Sequence, residues 1–202
     1  MASVAATDYA LPAAATPPGI AAIQRALMWA VGAGGAIVFI EPSPYELMTL
    51  ASVVFFLRMR PVFIPLLILL FLLNIGYTIA AAYLIDKQEI LNWILTSWYM
   101  AITALFFAMV LSENTEERLE YLRRGLIFGA LIASLAGIAG YFRLVPSAGY
   151  DLFTLYSRAR GTFKDPNVLG AYLILPAMFL LQSVVTQSLR KSFWSAVGLG
   201  IL

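Results

Sequence analysis

Val62–Ile85 reads VFIPLLILLFLLNIGYTIAAAYLI, an apolar run of 24 residues without one acidic or basic side chain. An α-helix rises about 1.5 Å per residue, so about 20 such residues span the hydrocarbon core of a bilayer. The run is closed by Arg60 on one side and Asp86 on the other. Outward from it the same pattern repeats, with long apolar stretches separated by short polar ones. The whole chain of 202 residues is 61% hydrophobic and 12% charged. A soluble domain carries about 25% charged residues, so composition and patterning together predict several membrane-crossing helices.

The expected spans are Ala26–Ile40, Pro44–Leu57, Val62–Ile85, Leu91–Leu111, Gly125–Val145 and Asn167–Ser188. A seventh begins near Phe193 and is cut at Leu202, which suggests that the sequence stops inside an element. The fold class expected is all-α, a polytopic bundle of six full spans plus the start of a seventh, over residues 20–202. The first two spans are short and must borrow flanking residues or thin the bilayer locally. Residues 1–19, rich in Ala, Pro and Thr and lacking apolar period, read as a disordered tail. No basic stretch precedes an apolar core there, so the first span is expected to remain uncleaved.

Local signals mark helix starts and contacts. Ser43-Pro44-Tyr45-Glu46 has the form of a capping box with proline at the first helical position. Asp165-Pro166-Asn167 repeats cap and proline ahead of the sixth span. Gly125, Gly129, Ala133 and Gly137 stand at four-residue intervals, a small-residue stripe on which another helix can approach closely. Asn74 and Gly76 read as packing features of the third span.

The chain has no Cys and no His, which removes disulfides, thiol chemistry and the commonest general base and metal ligand. A net charge of +2 without a basic stretch interleaved with aromatics speaks against nucleic acid. With the N-terminus cytoplasmic, that side carries Arg25, Arg58, Arg60, Arg118, Arg123, Arg124, Arg190 and Lys191. The opposite side carries Lys87, Arg143, Arg158, Arg160 and Lys164. Eight against five favours this orientation, and four of the five exceptions fall in one connection, between the fifth and sixth spans.

From Tyr141 to Asp165 that connection reads YFRLVPSAGYDLFTLYSRARGTFKD. Asp151–Tyr156 suits a short element lying among lipid headgroups. Arg158, Arg160 and Lys164 follow around the flexible Gly161 and lead into the capped sixth helix. Guanidinium forks match phosphate oxygens, and a helix N-terminus adds donors and a favourable dipole, so a diphosphate held at the outer surface fits here. Contact with anionic lipid headgroups, or pairing with Asp151 and Asp165, accounts for the same charges. Asp165-Pro166-Asn167 also has a purely structural reading as a cap.

Arg160-Gly161-Thr162-Phe163-Lys164-Asp165-Pro166-Asn167-Val168-Leu169-Gly170, entering an apolar helix, closely resembles a signature of the O-antigen ligase and polymerase superfamily of bacterial membrane proteins. Glu41-Pro42-Ser43-Pro44-Tyr45-Glu46 resembles a second, weaker feature of that family. The spacing of spans agrees over most of the chain after the tail. The resemblance implies a glycosyltransferase of the bacterial inner membrane, without cofactor or metal. Its substrate would be an undecaprenyl-diphosphate-linked glycan on the periplasmic face, passed to lipid A core, a growing polysaccharide or a protein. It would thus serve surface polysaccharide biosynthesis, as of lipopolysaccharide or exopolysaccharide. It carries the diphosphate-binding role to Arg158 and Arg160, with Lys164 beside them, and leaves Gly161, Asp165, Pro166, Asn167, Glu41, Pro44 and Glu46 as motif or structural positions. The long outer loop and histidine of the family's later half have no counterpart among these residues, so the chemistry by this chain alone is expected to be incomplete.

Two other readings share the same residues. A non-enzymatic transporter or partner for lipid-linked glycans would need the same outer phosphate grip, although no internal repeat or midspan charge supports it. A metal site from Glu41, Asp151 and Asp165 would rest on three scattered carboxylates.

Overall fold

A computed structural model describes residues 17–40, 42–56, 60–83 and 87–202. These form α1 (Pro18–Gly34), α2 (Pro44–Phe56), a 3-10 turn (Pro61–Phe63) running into α3 (Ile64–Ala81), α4 (Lys87–Leu111) and α5 (Thr115–Tyr141). A short α6 (Ser147–Phe153), the two-residue strands β1 (Thr154–Leu155) and β2 (Arg158–Ala159), α7 (Pro166–Thr186) and α8 (Leu189–Ile201) complete the described elements. The protein is helical apart from that one ribbon among the described residues. Among the described residues four helices are long and apolar enough to cross a membrane: the helical stretch Pro61–Ala81, Ile90–Leu111 of α4, α5 and α7.

The surface of α3 shows what solvent the fold suits. Leu72 and Leu73 are 61% and 64% exposed, and Ile68, Leu69 and Phe71 beside them are exposed as well. A continuous apolar face of this kind is a liability in water and the ordinary outer surface of a helix in lipid.

Several boundaries differ from the sequence expectation. The helix expected over Ala26–Ile40 begins at Pro18, which takes the first helical position, and continues past Arg25 because that side chain pairs with Glu117 of α5 at 3.4 Å. Pro18 and Gly19, assigned to the tail, therefore belong to α1, while residues 1–16 lie outside the described ones. α1 ends at Gly34, six residues early, because the next residues turn away to bond another segment. At 17 and 13 residues, α1 and α2 are shorter than the third to sixth spans. α5 starts ten residues before Gly125: Glu116 and Glu117 sit favourably at its positive end, and Glu120 pairs with Arg123 and Arg124 at 2.6 and 2.8 Å. Its charged first three turns are thus helix rather than loop.

The small-residue stripe lies at the centre. A Cβ built on Gly125 would overlap the carbonyl of Trp29, and one on Gly129 would lie 2.8 Å from the carbonyl oxygen of Ala33. Gly32 of α1 presses in turn on the backbone at Leu122. α1 and α5 therefore touch backbone to backbone, which larger side chains would forbid. Below this crossing Met28, Val31, Phe56, Phe106 and Val110 fill the bundle, with the Phe56 and Phe106 rings edge-on at 6.0 Å. Gly76, by contrast, has open space around it, so it has no close-packing role among the described residues.

α3 and α4 form a hairpin joined by polar contacts. Ser97 donates to Asn74 Oδ1 at 2.7 Å, the Asn74 amide donates to the Leu70 carbonyl at 2.8 Å, and Trp98 Nε1 donates to Thr78 at 3.3 Å. Asn74 is 2% exposed, so it fastens two helices rather than lining a cavity. Asn74→Leu is expected to destabilise the protein by about 1 kcal/mol in mixed-micelle unfolding, the usual worth of such a bond between membrane helices. The loss should shrink when Ser97 is already alanine.

Candidate functional site

The connection between α5 and α7 is built on the upper part of the small-residue stripe. Arg143 takes a left-handed turn (φ 55°) after α5, its guanidinium lying 5.1 Å from the Tyr150 ring centre. α6 then packs back on α5, where a Cβ on Gly140 would come within 2.6 Å of the Phe153 Cβ. The segment expected as one short element over Asp151–Tyr156 is divided: the last turn of α6, strand β1, and the start of a reversal. β1 and β2 pair antiparallel, Thr154 opposite Ala159 and Leu155 opposite Arg158. Tyr156 and Ser157 make the two-residue turn with φ of 49° and 60°. Positive φ at both positions matches the twist of a hairpin but is uncommon for residues other than Gly, Asn or Asp. Tyr156, 89% exposed, projects from the tip.

Gly161 (φ 55°) follows, and a Cβ there would strike the carbonyl of Ala133 in α5. Thr162 reaches across the fold: its hydroxyl donates to the Ala36 carbonyl, and its own carbonyl accepts from Val38 N–H at 3.0 Å. Phe163 is buried with Ala36, Ala133 and Leu169, its ring 5.0 Å from that of Tyr172. The Gly-Thr-Phe stretch is therefore a wedge fixing the connection to α5, to α7 and to the segment after α1. Sequence reading missed the bonds of residues 36 and 38, because nothing local marks two such residues as partners of a threonine 126 and 124 positions away.

The two arginines have unequal roles. Arg160 donates from Nε to the Leu152 carbonyl at 3.0 Å, from Nη2 to that of Asp151 at 3.0 Å and from Nη1 to that of Lys164 at 3.4 Å. It caps the carbonyl end of α6 and ties it to the lead-in of α7, as a cation at a helix C-terminus does. Arg158 is exposed and donates once, from Nη2 to Asn167 Oδ1 at 3.1 Å. A guanidinium carries five N–H donors, so four remain to it, against two on Arg160. Lys164 is exposed on the same connection.

The helix cap expected at Asp165 is present: its Oδ1 accepts from Asn167 N–H at 2.7 Å, with Pro166 at the first helical position. The capping box of α2 is present too, Ser43 N–H donating to Glu46 Oε2 at 2.9 Å and Glu46 N–H to Ser43 Oγ at 3.4 Å, with Pro44 between them. Glu41 lies outside the described residues. The segment between α1 and α2 is bonded to Thr162 through Ala36 and Val38. No group of three His, Cys, Asp or Glu suited to a metal occurs among the described residues.

At the opposite end of the bundle Arg25, Arg60, Arg123 and Arg124 face Glu117, Glu113 and Glu120 in ion pairs. Arg118 there lies 3.6 Å from Glu113 and donates to the Val110 carbonyl at 2.6 Å, closing the end of α4. The geometry thus defines a helical, lipid-suited protein with a rigidly seated basic ribbon at one end and acid–base pairing at the other. No family model matches the chain, and neither a curated protein nor a solved structure does.

Proposed function

We propose that this protein is a multi-spanning glycosyltransferase of the O-antigen ligase and polymerase type in a bacterial inner membrane. Its N-terminus is cytoplasmic, six spans cross the bilayer, and the β1–β2 ribbon faces the periplasm. The ribbon holds the diphosphate of an undecaprenyl-diphosphate-linked glycan, from which the sugar passes to a lipid or polysaccharide acceptor. The acceptor hydroxyl attacks the anomeric carbon and gives up its proton to solvent at the membrane surface, the bond from that carbon to the phosphate oxygen breaks, and the diphosphate leaves with the electron pair.

The observation that supports this reading most is Arg158. Its guanidinium stands exposed at the N-terminus of α7, with most donors unspent, on a ribbon seated by Gly161, Thr162 and Phe163. A donor set fixed before the reaction stabilises charge developing on the leaving diphosphate without reorganising. Arg160 supports it by holding α6 and the ribbon in place.

Arg158→Ala is expected to lower glycan transfer about a hundredfold, the usual loss on removing one preorganised donor, while thermal stability stays unchanged. Arg160→Ala should reduce stability and transfer together. Full transfer by Arg158→Ala would remove the assigned role. Because the chain has no native cysteine, Ser157→Cys reports the side of the ribbon. A membrane-impermeant maleimide should label it in spheroplasts, and labelling only after the membrane is opened would end the proposal.

A further inference from the structure

At the end of the bundle opposite the ribbon, the described arginines of α1, α5 and the turn before α3 are spent on carboxylates. Arg25 pairs with Glu117, Arg60 and Arg118 with Glu113, and Arg123 and Arg124 with Glu120. Arg190 and Lys191, in the first turn of α8, are exposed and have no such partner among the described residues. Residues 166–202 contain no Asp or Glu at all. Two adjacent cations therefore stand where a helix meets the membrane surface, without an anion from this stretch of the chain. A basic cluster in that position attracts the negative charge of lipid headgroups.

Local structure fixes where they stand. The Ser192 hydroxyl donates to the Val184 carbonyl at 2.8 Å, so α8 starts seated on the last turn of α7. From there it rises beside α5 and α7: Gly198 faces Leu131 and Leu180, and Ile201 reaches the pocket beside Ala159 of the ribbon. Away from that contact the helix is bare. Leu189, Phe193 and Val197 recur every four residues, which aligns them along one face, and all three are exposed, Leu189 to 92%. Trp194, also exposed, stands one turn above Arg190, its ring edge-on to that of Phe193 at 5.6 Å. Indoles favour the headgroup level, where an apolar ring and a polar N–H are both satisfied.

We infer that the start of α8 binds an anionic phospholipid. Arg190 and Lys191 hold the headgroup phosphate, and one acyl chain lies along the face formed by Leu189, Phe193 and Val197. Charge decides the occupant. A phosphodiester with an uncharged head offers its whole negative charge to the two cations, whereas phosphatidylcholine carries an ammonium that competes with them. Length agrees with it. From Leu189 to Val197 the helix rises about 12 Å, most of the roughly 15 Å depth of one leaflet, so a chain anchored at the cations runs along this face. Free phosphate would match the cations and leave the apolar face beside them uncovered. The inference uses none of the ribbon's residues, and it holds whichever leaflet this end of the bundle meets.

The test is lipid-selective quenching in the full chain. Because no native cysteine is present, Val197→Cys takes a single bimane fluorophore. The protein is reconstituted in phosphatidylcholine vesicles containing a small fraction of phosphatidylglycerol or phosphatidylcholine with a nitroxide on the acyl chain. Labelled phosphatidylglycerol is expected to quench at about one tenth the mole fraction that labelled phosphatidylcholine needs, a preference that high salt reduces. Arg190→Gln combined with Lys191→Gln should bring the two lipids level, while Arg190→Lys should keep the preference. Both cations are exposed, so these variants should melt as the parent does. Bimane at Leu72→Cys on α3, which packs on α4, should show no preference. Equal quenching by the two lipids at Val197→Cys, a preference that survives the double glutamine variant, the same preference at Leu72→Cys, or its loss to inorganic phosphate at constant ionic strength would each overturn the inference. Glycan transfer is not read, so a failed diphosphate reading leaves this result intact.

Discussion

Gly161→Ala is expected to destabilise the protein by about 3 kcal/mol and to abolish the order of the ribbon while leaving every basic side chain in place. Two costs combine. The backbone at 161 has φ 55°, where an L side chain costs about 1–2 kcal/mol. The added methyl would also meet the Ala133 carbonyl, which belongs to the backbone of α5 and cannot rotate aside. Overpacking of this kind costs about 1–3 kcal/mol. Displacing residue 161 withdraws Thr162 from Ala36 and Val38 and draws Phe163 out of its cluster. Transfer activity should then fall as far as in Arg158→Ala, although Arg158 is intact. Unfolding in mixed micelles and protease cleavage near Ser157 measure the two effects. A Gly161→Ala protein of parental stability would show that the ribbon is not seated on α5 in this way. Gly170→Ala is the matched control: it lies in open space, in a helix, and should be neutral or slightly stabilising.

Gly125→Leu should have the larger effect on assembly. Here the nearest obstacle is the carbonyl of Trp29, with Ala33 N 2.9 Å from a built Cβ, so no side-chain rotation can relieve the overlap. Accommodating leucine requires α1 to move away from α5 along their whole crossing, which also separates Gly32 from Leu122 and Gly129 from Ala33. At least about 3 kcal/mol is expected, at the upper end for an overpacked contact. Because α1 has 17 residues and leads directly to the segment that bonds Thr162, its displacement should loosen the ribbon as well. A cysteine pair bridging α1 and α5 would report this: crosslinking efficient in the parent and lost in Gly125→Leu. Retained crosslinking at parental yield would count against the close α1–α5 contact.

Much of the architecture was legible because membrane helices are written in long, uniform runs. α3 and α7 fall within two residues of the expected spans wherever they are described, and α4 ends at the expected Leu111 but begins four residues early, since nothing in those stretches competes with a helix. Both caps were legible for the opposite reason. Ser43 with Glu46, and Asp165 with Asn167, act on residues two or three positions away, so local sequence contains all the partners. The stripe at Gly125, Gly129, Ala133 and Gly137 announced a close approach. What it could not announce is that α1 occupies its lower part and the Gly161 backbone its upper part.

The boundaries of α1 and α5 were less legible because charges were taken as helix ends. Arg25 and Glu117 lie within helices, each made tolerable by the other across 92 positions. In the candidate site, Arg158 and Arg160 look equivalent in the sequence, two identical residues two positions apart. The antiparallel pairing of β1 and β2, and the fold of α6 beneath, give Arg160 three carbonyls and Arg158 one amide oxygen.

The amino-acid sequence by itself determined that this chain is a set of apolar helices with its unusual basic connection between α5 and α7. Lipid-length runs and neighbouring caps depend only on residues close in the chain. Tertiary structure alone decided which arginine is spent on carbonyls and why Gly161 must lack a side chain. These depend on the path of the backbone through the α6–ribbon turn and on helices distant in sequence meeting in space, and no local pattern records either.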